Sequence, residues 1–159
     1  MARDYMSIRL SYEAKFWLEK LQSHVQQVLD KSIDEKEVDD MEMILKEYLE
    51  KISDPLGGVS ITNILKVSAS SIIEKAYYYT ENYSLEKWLE IDELVQNSKI
   101  NSNLEVGTLT PRLYLDKEVI NGLEQYRYDF KKENMVRVVK MSYVIKNVLY
   151  AYHLEILGK

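Results

Sequence analysis

The side chains that most often carry chemistry are scarce in this chain. With no cysteine among 159 residues, thiol catalysis, disulfides, cysteine zinc sites and iron–sulfur clusters are excluded together. The two histidines, His24 and His153, have no partners at metal-ligand spacing. Carboxylates are plentiful, with 26 Asp and Glu. No adjacent base, nucleophile elbow or glycine-rich phosphate loop singles one of them out, so neither an enzyme nor a cofactor is expected. Thirteen tyrosines, including Tyr77, Tyr78, Tyr79, Tyr143, Tyr150 and Tyr152, have faces that single-stranded bases can stack on. Their helical spacing is the one that core packing produces. What remains is ionic and hydrogen-bonding chemistry, and the question becomes which elements hold arginines such as Arg9 and Arg112 in place.

Composition bounds those elements. Hydrophobic residues at 46% and charged residues at 30% match a chain that folds around one core. Five glycines and two prolines supply too few turns for a sandwich of short strands, which favours helices. The N-terminal segment has no signal-like apolar run and no window could span a bilayer, so a cytoplasmic protein without a membrane partner is expected. A net charge of −5 argues on its face against nucleic acid. The charge is uneven, however: residues 30–54 carry −6 and residues 81–105 carry −4, leaving +5 on the rest of the chain.

Residues 5–10, Tyr-Met-Ser-Ile-Arg-Leu, alternate polar and apolar as a half-buried strand does. Ser11 can cap a helix whose apolar stripe is Ala14, Trp17, Leu18, Leu21, Val25 and Val28. Ser32 to Glu35 has capping-box form, and an acidic amphipathic helix over 33–53 follows, up to Pro55 and Gly57. Ser60 can open the next helix, running into Tyr77–Tyr79, and Ser84 a shorter one with Leu85, Trp88 and Val95 inward. A second strand is expected over Thr110–Leu115. Asp116 then caps a helix bearing Val119, Leu123, Tyr126 and Phe130, and Asn134 opens a last one bearing Met135, Val138, Val139, Ser142, Ile145, Val148, Leu149 and Tyr152.

This order repeats. Placing Leu10 on Leu115 superposes Arg-Leu-Ser-Tyr-Glu-Ala on Tyr-Leu-Asp-Lys-Glu-Val, and the later helices share Asn-Ile-Leu-Lys-Val-Ser at 63–68 and Arg-Val-Val-Lys-Met-Ser at 137–142. Strand–helix–helix occurs twice, with an acidic insert in the first copy. The expected fold is mainly α with a short two-stranded antiparallel β-ribbon, two such units in one chain plus inserted acidic helices. One strand followed by two helices cannot bury its apolar face alone, but two copies can pair their strands and share a core. The first unit covers 1–80 with its insert at about 30–57, an acidic helix and linker cover 81–107, and the second unit covers 108–159.

With these motifs the chain resembles the ribbon-helix-helix family of Arc- and MetJ-type DNA-binding proteins, folded here as a single-chain pseudo-dimer. The resemblance covers roughly residues 3–29, 58–79 and 108–152, and Pro111 departs from it where the family buries an apolar residue. It implies a ribbon lying in the major groove of double-stranded DNA, with outward side chains reading base edges. Those positions are Tyr5, Ser7 and Arg9 in the first copy and Thr110, Arg112 and Tyr114 in the second. The family's second helices clamp phosphate with their first-turn N–H groups. Carried over, this implies Ser60, Ile61 and Thr62 with Lys66, and Asn134, Met135 and Val136 with Arg137 and Lys140.

The tandem single-chain arrangement is similar to accessory proteins of plasmid relaxosomes, which mark an origin of transfer during conjugation and recruit a relaxase. The wider family consists mostly of transcriptional repressors. In the first case the acidic inserts are partner-docking surfaces, and oligomers on adjacent DNA sites extend the recognised sequence. An alternative of another class is a helical adaptor that uses its acidic amphipathic helices and never touches DNA.

Overall fold

The structure is a computed structural model that describes residues 2–32, 39–40, 43–44, 47, 67–98, 100 and 106–158. Strand β1 (Arg3–Ser7) is followed by helices α1 (Tyr12–Ser32), α2 (Ala69–Thr80) and α3 (Leu85–Asn97). Strand β2 (Arg112–Asp116) and helices α4 (Lys117–Asp129) and α5 (Met141–Leu157) complete the chain. The protein is mainly helical with one two-stranded antiparallel sheet. The chain divides into two compact units: Met1–Gln22 with Ser68–Lys159, and Ser23–Val67. In the smaller unit Gln26 donates to Asp30 at 3.0 Å and accepts from the Val67 backbone at 2.8 Å. No described helix is long and apolar enough to cross a membrane.

The ribbon pairs Arg3 with Asp116, Tyr5 with Tyr114 and Ser7 with Arg112. Alternation puts Leu113 and Leu115 inward, both fully buried, while Tyr5, Ser7, Arg112 and Tyr114 face out. Burial of each such leucine contributes about 1.5–3 kcal/mol. The strands are shorter than, and shifted from, the segments expected at 5–10 and 110–115. The cause is Pro111: backbone bonds recur at Leu10 to Leu109 (2.7 Å), but Pro111 has no N–H to donate between them, and regular pairing stops at Ser7–Arg112.

Under the ribbon, Leu10, Ala14, Trp17, Leu18 and Leu21 are buried, as are Ile72, Ile73 and Ala76 of α2, and the Trp17 ring packs edge-on against that of Tyr150 in α5 at 4.7 Å. Val119 and Leu123 of α4, and Val144, Ile145, Val148 and Leu149 of α5, complete this core. Ser11 caps α1 by accepting from the Ala14 N–H at 3.2 Å. Asp116 holds the corresponding place before α4 without a side-chain cap bond, its carboxylate lying 3.9 Å from Arg3 instead. Val28, expected inward, is exposed.

Two helix starts differ from the sequence reading. The helix expected from Ser60 begins at Ala69, because Ser68 turns its hydroxyl back to the Ser71 N–H at 3.1 Å and takes an extended backbone. The helix expected from Asn134 begins at Met141. Val139 explains the delay: its N–H donates to the Arg127 carbonyl at 3.2 Å and its carbonyl accepts from Arg127 Nε at 2.9 Å. Both backbone polar groups of Val139 are thereby withdrawn from a helix, and Val136, Val138 and Val139 are β-branched and reluctant to enter one. On α3 the buried stripe is Trp88, Ile91, Asp92 and Val95, and Leu85, expected inward, is exposed at the first turn.

Candidate nucleic-acid interface

The first helix of each copy preserves the repeat seen in the sequence, whereas the second helices start at Ala69 and Met141, 72 positions apart instead of the 74 that place residues 63–68 on 137–142. Tyr12 and Lys117 open α1 and α4 105 positions apart, and Leu10 to Leu115 is the same 105 positions. That offset maps Ser7 onto Arg112, and these two residues are paired with each other in the ribbon. The 105-residue offset of the sequence and the register of the ribbon therefore coincide at the Ser7–Arg112 pair. Tyr5 corresponds to Thr110 and Arg9 to Tyr114.

All six residues proposed for base reading, Tyr5, Ser7, Arg9, Thr110, Arg112 and Tyr114, are exposed. Four lie within the paired strands on one face; Arg9 and Thr110 lie just beyond, where the Leu10–Leu109 bond continues the register. The face is ordered by its aromatic rings. Tyr5 and Tyr114 sit directly opposite one another with ring centroids 4.6 Å apart, and the Arg112 guanidinium stacks over Tyr5 at 4.0 Å. The planar fork of Arg112 is thus held at the ribbon's surface, and a guanidinium so placed can donate two parallel bonds to one base edge.

Arg3, on the same face, is not among the residues singled out from the sequence. Its guanidinium bonds Glu74 of α2 at 2.7 Å and the Tyr114 carbonyl at 3.2 Å, so its charge is largely spent within the fold. Its function is structural: it ties the ribbon to α2. A second tie is the Tyr114 N–H, which donates to Ser70 Oγ at 2.8 Å. These bonds set the first turn of α2, with Ser68, Ser70 and Ser71, beside the edge of β2. The Ser-Ala-Ser-Ser run at 68–71 was a legible helix-start signal that the neighbouring Ser60 obscured.

Of the phosphate-binding residues expected, Ser60, Ile61, Thr62 and Lys66 lie outside the described residues, as does most of the acidic helix over 33–53. Residues 39, 40, 43, 44 and 47 of that stretch are helical and exposed. Asn134, Met135 and Val136 do not open a helix, so no first-turn N–H groups are available there. Met135, Val136, Arg137 and Lys140 nonetheless line one groove of about 1080 Å³ at the actual start of α5, together with Ser11, Arg127, Lys132 and Lys146. Five of its lining residues are cationic and none is acidic. In a chain of net charge −5 this is a sharp local reversal.

Two of those five charges are engaged, Arg127 with Glu124 at 3.0 Å and Lys132 with Asp92 at 3.4 Å. Arg137, Lys140 and Lys146 have no ion-pair partner among the described residues. Lys140 occupies the N-cap position of α5, which no side chain caps, so the positive end of that helix dipole opens into the groove. Ser11, two residues after Arg9, joins this groove to the end of the ribbon. The sequence reading missed Arg127, Lys132 and Lys146 because their convergence depends on the Arg127–Val139 bonds, which leave no local pattern.

Among the described residues no group of three or more metal-ligating side chains occurs. No protein-family model matches the chain, no curated protein matches it, and no solved structure matches it.

Proposed function

We propose that this chain is a sequence-specific double-stranded DNA-binding protein that lays the outer face of its ribbon in the major groove, folded as a ribbon-helix-helix pseudo-dimer. The observation that carries the reading is the Ser7–Arg112 pair, at which the 105-residue offset and the ribbon register coincide, with Tyr5, Arg9, Thr110 and Tyr114 disposed around it on one exposed face. A two-stranded ribbon fits the width of that groove, and Arg, Ser and Thr are side chains that bond base edges there. The basic groove at the start of α5 and the first turn of α2 are the phosphate contacts in this reading. No catalytic step is involved, and the setting is cytoplasmic.

Within this reading we place the protein with the plasmid-transfer accessory factors rather than the repressors, on the similarity of the single-chain tandem arrangement. The acidic stretch over 33–53 is then the docking surface for a relaxase or another partner. Deleting it is expected to abolish partner recruitment while leaving DNA affinity intact; loss of DNA affinity would reject the assignment.

Selection from a random duplex pool tests the main proposal. Enrichment of one sequence, bound at least about 10³-fold more tightly than random duplex at physiological salt, is the expected result. Failure to enrich any sequence would reject sequence-specific binding.

A further inference from the structure

Contacts to DNA phosphate would use the cations of the groove at the start of α5 but not its walls. Met135, Val136, Val138 and Val139 give those walls aliphatic surface, and Phe130 and Tyr143 add aromatic rings. Val136 is 93% exposed, and Met135 and Val138 are half-buried, so this apolar surface is open to a ligand rather than used up inside the fold. Apolar surface gathered in one hollow and accompanied by charge marks a binding site.

The charge in the groove is of one sign. Arg127, Lys132, Arg137, Lys140 and Lys146 line it, and no Asp or Glu does. Arg127 and Lys132 are ion-paired to Glu124 and Asp92, whereas Arg137, Lys140 and Lys146 have no ion pair among the described residues. Arg137 and Lys140 are exposed, and Lys146 Nζ lies 5.3 Å from the Tyr143 ring centroid, so free cations and apolar walls share the hollow. The cations select an anion, with the fork of Arg137 suited to a carboxylate, and the walls select an apolar body attached to it. About 1080 Å³ is room for a small molecule of that kind. A methylene chain leaves no polar group unpaired against Met135 and Val136, as a peptide backbone would. A lipid held in a bilayer keeps its chains there and offers the hollow only its head.

We propose that this groove binds a free fatty acid as its carboxylate, the head at Arg137, Lys140 and Lys146 and the chain along Met135, Val136, Val138 and Phe130. An occupied groove is closed to DNA phosphate, which makes the ligand a release signal. That consequence rests on the DNA-binding reading; the site itself does not and is tested without DNA.

Calorimetric titration with decanoate below its micellar concentration tests the site. Saturable binding is expected, at least about tenfold tighter than for acetate, which has the head alone, and for decyltrimethylammonium, which carries the same chain on a cation. Arg137→Glu/Lys140→Glu and Val136→Asp alter exposed side chains, and each is expected to weaken decanoate at least about tenfold while circular dichroism shows the fold retained. No saturable binding up to about 5 mM decanoate, equal affinity for either control ligand, or unchanged affinity in either folded variant would overturn the proposal. If one variant does not fold, the other decides. Binding to phosphatidylglycerol vesicles without binding to monomeric decanoate would also overturn it and assign the groove to a membrane surface. With the site established, decanoate is expected to lower affinity for duplex DNA; unchanged DNA affinity would leave the fatty-acid site standing and remove the groove from the phosphate contacts.

Discussion

The Arg112 guanidinium lies 4.0 Å from the centroid of the Tyr5 ring, diagonally across the ribbon from it. Stacking of this kind at an exposed site contributes about 0.5–1 kcal/mol and removes rotamers that the side chain would otherwise give up on binding. Tyr5→Ala is therefore expected to weaken binding to the preferred duplex by about that amount, whereas Tyr5→Phe, which keeps the stack, leaves it within error. Competition binding on the selected sequence checks this. Equal losses in both variants would instead assign the phenol oxygen a direct contact.

Lys140 is expected to act on DNA without regard to sequence. Lys140→Ala should lower affinity for preferred and random duplex alike and reduce the slope of log affinity against log salt by about 0.9, the release of one phosphate's counterion. A loss confined to the preferred duplex would move Lys140 from the phosphate contacts to the base contacts.

Helix α4 approaches α2 over Gly122, where a side-chain methyl would overlap the Tyr77 hydroxyl and ring. Gly122→Ala is expected to destabilise the fold by about 1–3 kcal/mol despite the better helix propensity of alanine. Trimming the opposing ring in Gly122→Ala/Tyr77→Leu should recover part of the loss. Chemical denaturation measures both, and a Gly122→Ala protein as stable as the native chain would show that Tyr77 yields freely.

The architecture was legible in the sequence wherever it rests on local pattern. The strand alternation, the Ser11 and Asp116 helix starts and the stripe from Ala14 to Leu21 are matters of residue spacing, and the Leu10–Leu115 offset is reproduced by the helix starts at Tyr12 and Lys117. Features that depend on distant partners were not legible. Asn134 is as good a helix cap as the chain offers near Met141; only the bonds of Arg127 to Val139 deny it that role. Likewise Ser60 and Ser68 are equivalent as residue types, and the contact of Ser70 with Tyr114 belongs to tertiary structure. In the candidate interface this left the outer ribbon residues readable and the five-cation groove unreadable, because its charges are gathered from five separated positions along α4, the segment that follows it and α5.

His153 gives the fold an acid-side weakness. Burial, and secondarily the charge of Lys20, hold its pKa below the usual 6.5, and its Nδ1 has no partner among the described residues. The unfolded chain takes up a proton near 6.5 while the folded chain resists it. The stabilising contribution is thus complete above that pH and is lost as the pH falls below it. Tm is expected to drop further in the native chain than in His153→Gln between about pH 7.5 and 5.5. Parallel falls in the two proteins would show that other groups set the acid limit.

In the proposed complex Arg9 and Arg112 read bases from the outer face of the ribbon. The most direct test of this role is fluorescence-anisotropy binding of the native chain and of Arg9→Ala/Arg112→Ala to the selected duplex and to random duplex, each across a salt series. A loss of about 1–3 kcal/mol per arginine is expected on the selected duplex, with a much smaller loss on random duplex and so a relaxed preference. Equal losses on both duplexes, or no binding by the native chain even at low salt, would contradict that role.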